Sequence, residues 1–185
     1  MNTYILIYEG FANFEVVIAS LLLKNKGNCN IITIAVDSDP ITSCEGFKYV
    51  PHKLLSDIDI DDIDVLLIPG GDPNELYDKG EVYDLIRRAN KAQVIIGAIC
   101  AAPIHLAKAG IIEDVKYTAS NDVKTHNDFN KGNYEDSNIV IDGNIITAKP
   151  TGYVDFGIEI GKMMSIYENE ADLEETINFF KCFRD

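Results

Sequence analysis

Val94-Ile95-Ile96-Gly97-Ala98-Ile99-Cys100-Ala101-Ala102-Pro103 decides how this chain folds. An apolar run of strand type ends in small residues, places one thiol, and passes at once into a helical segment. That is how an α/β protein presents a nucleophile: the side chain sits on a tight strand-to-helix turn whose neighbours are small enough to permit a strained backbone. At such a turn the unpaired N–H groups and the positive end of the helix favour a thiolate over a thiol. Free cysteines are also often small buried hydrophobes. The spacing, strand then thiol then helix, points instead to a working Cys100.

Outward from that elbow, short apolar runs alternate with amphipathic ones. Tyr4–Tyr8 reads as a strand, and Asn13 as the cap of a helix running to about Lys26 and ended by Gly27. Asn30–Val36 is a second strand closed by Asp39-Pro40, and Ile41–Pro51, with Gly46, a small hairpin. Val65–Ile68 is a buried strand entering Pro69-Gly70-Gly71. Glu81–Asn90 is a helix, and Ala101–Lys108 is the helix after the elbow, with Gly110 as its stop. Asn138–Ala148 holds a hairpin about Asp142-Gly143. Helices over Asp155–Tyr167 and about Asp172–Phe180 close the chain, the last with an Asp172/Glu175 capping box. Continuous apolar strands between amphipathic helices predict a mostly parallel sheet with helices on both faces, in one domain over residues 1–185.

The chain has 185 residues, 46% of them hydrophobic and 25% charged, as in an ordinary soluble globular protein. A net charge of −14, from 30 acidic and 16 basic residues, argues against a nucleic-acid partner, which needs clustered Lys and Arg. The longest apolar stretch, Val16–Leu23, is too short to span a bilayer, and no signal peptide is apparent. Four cysteines without a CxxC spacing suit free thiols in a reducing cytoplasm. Ser56–Asp64 is acidic but fails the calcium-loop pattern, since Asp62 stands where that loop needs glycine. No His/Cys cluster has zinc-ligand spacing, so neither a metal nor a cofactor is expected.

In parallel sheets, ligands bind beyond the carboxyl ends of the strands. Three loops should meet there: Glu9–Asn13, Pro69–Pro73 and the Cys100 turn. Glu15 lies in a strongly apolar helix, where a carboxylate is rare unless it is paired or at an exposed first turn. Beside Cys100 it would serve as hydrogen-bond donor or general acid and base. Gly70, Gly71 and Ala101 offer backbone N–H groups for a substrate oxygen. Of the histidines, His105 points roughly 140° around its helix from Cys100, given 3.6 residues per turn. His52 has nothing to place it near the site. His126, in the polar stretch Asn121–Asn133, is the candidate loop contributor.

With these residues quoted, the chain resembles the ThiJ/PfpI superfamily, with its class I glutamine amidotransferase-like fold. The matching features are the Glu15 helix after the first strand, Ile68-Pro69-Gly70-Gly71, the elbow Ala98-Ile99-Cys100-Ala101-Ala102-Pro103, and Asp142–Thr147 followed by Asp155-Phe156. The resemblance spans about Tyr4 to Met164. It implies a flavodoxin-like three-layer sandwich, a homodimer, and Cys100 as nucleophile hydrogen-bonded to Glu15. It also implies a range of activities: glyoxalase III and deglycase, amidase or peptidase-like hydrolase, isonitrile hydratase, redox-responsive chaperone in oxidative stress, and ligand sensor. Where many relatives carry a histidine after the post-elbow helix, this chain has Ser120, which cannot act as an imidazole base. Lys149-Pro150-Thr151-Gly152 is likewise shorter than the family's turn.

The leading expectation is therefore a cofactor-independent enzyme acting on small reactive carbonyls through Cys100 and Glu15. A cysteine hydrolase or isonitrile hydratase would need His126 to supply a base. A non-enzymatic redox sensor or chaperone would oxidise Cys100 to a sulfinate held by Glu15 and the helix start.

Overall fold

The computed structural model describes residues 1–129 and 131–184. Its core is a seven-stranded sheet in the order β10-β11-β7-β6-β1-β2-β5. The strands are β1 (Asn2–Leu6), β2 (Asn30–Ala35), β5 (Lys53–Leu54), β6 (Val65–Ile68), β7 (Ile95–Ile99), β10 (Ile139–Asp142) and β11 (Ile145–Ala148). Every pairing is parallel except β10 with β11, where Ile139 faces Ala148 and Asp142 faces Ile145. β6 is buried at every residue, as a central parallel strand must be when helices cover both faces. The expected α/β, flavodoxin-like sandwich is present.

Helix α1 (Phe14–Asn25) packs on α5 (Tyr153–Met163), and α3 (Gly80–Lys91) on α4 (Pro103–Ala109). The α1–α5 contact depends on Gly157, where an added Cβ would lie 2.8 Å from the Ala19 amide nitrogen. Two backbones approach there more closely than any side chain allows. α4 ends as expected at Gly110 in the left-handed region, φ 77°.

Several boundaries differ from the sequence expectation, for identifiable reasons. Asn13 precedes α1 but its side chain caps nothing. Glu45, from the hairpin of β3 (Ile41–Thr42) and β4 (Lys48–Tyr49), accepts from Asn13 N–H at 3.3 Å and Phe14 N–H at 2.8 Å. A charged acceptor from a distant turn has displaced the local cap. The last helix, α6 (Glu170–Cys182), begins earlier than expected. Asn169 accepts from Asp172 N–H at 3.1 Å, and Asp172 accepts from Glu168 N–H at 3.1 Å. Asp172 is thus the returning acid of a cap and not the cap itself. The polar stretch after Val115 also holds unexpected order. β8 (Lys116–Tyr117) pairs with β9 (Asn133–Tyr134), and Tyr117 stacks on Phe129 at 4.7 Å. The four-residue helix α2 (Asn74–Tyr77) was not foreseen.

The exposed side of α1 carries Phe14, Val17 and Leu21, each more than 40% accessible and spaced along one stripe. Among the described residues no helix is long and apolar enough to cross a membrane.

Candidate active site

The adjacent strands β7, β6 and β1 release their loops at the same carboxyl edge. Between β6 and β1 the connections diverge, one toward each side of the sheet, which is where such sheets bind ligands. β7 ends at Ile99, and Cys100 follows with φ +63°, a left-handed backbone that costs a non-glycine residue about 1 kcal/mol or more. Two hydrogen bonds hold it there: Cys100 N–H donates to Ala148 O at 2.9 Å, and Cys100 O accepts from Ser120 N–H at 2.8 Å. Buried Ala101 and Ala102 then lead into α4.

Glu15, in the first turn of α1, is 1% exposed. One carboxylate oxygen accepts from Gly70 N–H at 2.7 Å, and the carboxylate lies against the Cys100 thiol across Gly70. Gly70 permits this contact. A Cβ there would lie 2.6 Å from Cys100 Cβ, 2.7 Å from the Glu15 oxygen and 3.0 Å from Cys100 Sγ. The role of Gly70 is therefore close approach and anchoring of Glu15. Its N–H, expected to face a substrate oxygen, is already taken. Gly71 N–H has no partner among the described residues, and Ala101 N–H points at the sulfur.

Burial raises Glu15 above the usual carboxylate range, opposed by the Gly70 hydrogen bond. Burial, then the charge and hydrogen bond of Glu15, push the Cys100 thiol up to about 12. Ala101 N–H lowers it, as a helix start should, but is outweighed. The expectation that the helix start favours a thiolate is thus corrected: burial and the neighbouring Glu15 outweigh it. Thiol and carboxyl therefore titrate as one coupled unit, in which a thiolate requires that Glu15 carry the proton. Tyr8, which the sequence reading passed over, donates from its hydroxyl to Pro69 O at 3.0 Å. Its pKa is raised by burial and by Glu15 and Cys100. A tyrosine just past a buried strand carries no sequence signal for this.

The loop residues separate. Ser120 meets Cys100 through its backbone, while its Oγ is buried without a partner among the described residues. His126 turns away: Nδ1 accepts from Asp128 N–H at 3.3 Å, and the ring lies edge-on to Tyr77 at 5.9 Å. His105 is fully buried beside Tyr83, and His52 bonds Thr33. A cavity of about 220 Å³ lies at the ends of β1 and β2, lined by Ile7, Tyr8, Asp37, Ile41, Leu76 and Lys79, and touches the site only through Tyr8. No group of three or more metal-ligating side chains occurs among the described residues.

These features define a class: flavodoxin-like α/β proteins with a thiol on a strand-to-helix elbow and a buried carboxylate against it. The chain belongs to the DJ-1/PfpI family, whose model matches residues 1–163. It is 28% identical over 145 residues to the glutathione-independent glyoxalase DJR-1.2 of Caenorhabditis elegans, covering 78% of this chain and 77% of that one. It is 32% identical over 122 residues to the uncharacterised protein MJ0967 of Methanocaldococcus jannaschii, covering 63% of this chain and 60% of that one. The crystal structure of the DJ-1 superfamily protein Atu0886 from Agrobacterium tumefaciens superposes with a TM-score of 0.87 at 27% identity, over the full length of both chains. Other relatives, at 24% and 26% identity, are named a deglycase and an uncharacterised protease.

Proposed function

We propose that the chain is a cofactor-independent enzyme that converts small reactive carbonyls such as methylglyoxal, with Cys100 as nucleophile and Glu15 as proton carrier. The observation that carries this reading is the buried Glu15 carboxylate, fixed by Gly70 N–H and set against the thiol with no imidazole between them. Glu15 takes the thiol proton as sulfur bonds to the aldehyde carbon, then returns it to the new oxyanion, giving a hemithioacetal. The Gly71 N–H, which has no partner among the described residues, stabilises the oxygen. Glu15 next removes the proton from that carbon and delivers it to the neighbouring one, while the hemithioacetal hydroxyl proton passes to the former keto oxygen, leaving a 2-hydroxy thioester. Water cleaves the thioester, releasing lactate and the thiol. Relatives named a glyoxalase and a deglycase support this reading, and others are named proteases. A hydrolase reading is weaker because the ring of His126 is engaged with Asp128 and Tyr77. The working form is a homodimer, for which the uncharged stripe on α1 offers a face.

The test is lactate formation from methylglyoxal by wild type and Cys100→Ala. The variant is expected to fall to background, and equal rates would overturn the proposal.

A further inference from the structure

The charges around the thiol have one sign. Glu15 lies against it across Gly70, and Asp122 follows two residues after Ser120, whose N–H donates to the Cys100 carbonyl. Asp72 directly follows Gly71, whose backbone stands against the Tyr8 hydroxyl, and Glu45 accepts from the Asn13 and Phe14 N–H groups immediately before Glu15. Asp122, Asp72 and Glu45 are exposed, so they flank an approach rather than fill a core. The basic side chains of the neighbouring loops are turned elsewhere. Lys149, which follows the strand that receives the Cys100 N–H, pairs with Asp136. Lys124 donates to Asn121 at 2.9 Å and stands 5.7 Å from the Tyr134 ring. His126 faces Asp128 and Tyr77.

We infer that this mouth selects its substrate by charge, admitting uncharged or cationic α-oxoaldehydes and rejecting carbonyl compounds that carry a carboxylate, with Asp122 as a specificity-determining residue. The inference rests on the reading of Cys100 as the reactive group. An anionic substrate would bring a second negative charge against a thiol–carboxyl unit that already holds one, with low-dielectric protein behind it. Glu15 cannot be spared from proton transfer, so the adjustable part of the field lies in the exposed ring. Of that ring, Asp122 is the member carried on the turn bonded to Cys100 itself, two residues after Ser120.

Thiol labelling tests this without any assumption about turnover. The full-length protein is treated with three methanethiosulfonates, one uncharged, one bearing a sulfonate and one a trimethylammonium group. Modification of Cys100 is followed by peptide mass spectrometry, because Cys44 and Cys182 are also exposed. Relative to an uncharged model thiol, Cys100 is expected to favour the cation over the anion by at least about tenfold at low salt. The preference should shrink at about 0.5 M salt and fall several-fold in Asp122→Asn. A ratio equal to that of the model thiol, a ratio unchanged in Asp122→Asn, or no labelling of Cys100 by any reagent would overturn it. Lactate formation absent alongside a retained charge ratio would count against the carbonyl reaction and not against charge selection.

Discussion

Two buried titratable groups lie on either side of the same elbow and meet different fates. Glu15 and Cys100 are each other's partners, and Gly70 N–H and Ala101 N–H complete their polar contacts. His105, five residues past the thiol on α4, is fully buried with Nε2 unpartnered and Nδ1 only 3.5 Å from the Tyr83 hydroxyl. Burial, and then the charge of Lys108, lowers its pKa to about 4. Both sites bury a titratable side chain, Glu15 at 1% exposure and His105 at 0%. In the first the polar atoms are bonded, held by a strained backbone and open at the sulfur. In the second an imidazole is carried as a neutral packing residue. Burial of an ionisable group is therefore not by itself a sign of chemistry. Pairing at a strained, partly open position is the better sign.

The sharpest way to break the comparison is Glu15→Gln, which keeps the shape and removes the proton carrier. kcat/KM with methylglyoxal is expected to fall by about 10²–10⁴. The pH profile of Cys100 alkylation should change as well. In wild type the rate stays nearly level from about pH 6 to 9, as a coupled pair sharing one proton would give. In the variant the lone thiol titrates, and the rate climbs with pH through and above the free-thiol value of about 8.5. A wild-type profile already titrating as a lone thiol would show that the two groups are uncoupled.

On the other side, His105→Leu should leave activity near wild type and change stability against acid. A folded-state pKa below the unfolded value of about 6.5 means the unfolded chain binds the proton more tightly. His105 therefore costs nothing above that value and destabilises progressively as pH falls toward 4. Urea unfolding at pH 7 and pH 4 is expected to show wild type losing about 2–3 kcal/mol more than His105→Leu. Equal losses would mean the ring is not buried neutral. The smallest effect is expected from Glu45→Ala, which removes the acceptor at the start of α1 without touching the thiol. Thermal unfolding should report a loss of about 1 kcal/mol.

The elbow and the parallel sheet were legible because each is written locally, whereas the pairing of Cys100 with Glu15 was implied by the resemblance to ThiJ/PfpI proteins. The apolar runs have strand length, the thiol follows one at once, and Glu15 is a lone carboxylate among Phe14, Val16, Val17 and Ile18. What was not legible depends on long-range closure. Glu45 caps a helix whose own Asn13 looked sufficient, and Tyr8 reaches Pro69 across 61 residues. Gly70 looked like an oxyanion donor because a Gly-Gly after a strand says that N–H groups are accessible, but not which acceptor claims them. The two-residue pairing of β8 with β9 is accompanied by Tyr117 stacking against Phe129, and a polar stretch shows no periodicity from which to read it.

The Glu45 clamp has a kinetic corollary. The first turn of α1 is finished by a group 31 positions away in sequence, so the hairpin must dock before that turn is fully satisfied. Helical propensity can nucleate α1 early, whereas the clamp waits on the slower closure of a loop. The carboxylate beside the sulfur thus takes its final position only once a remote turn has arrived.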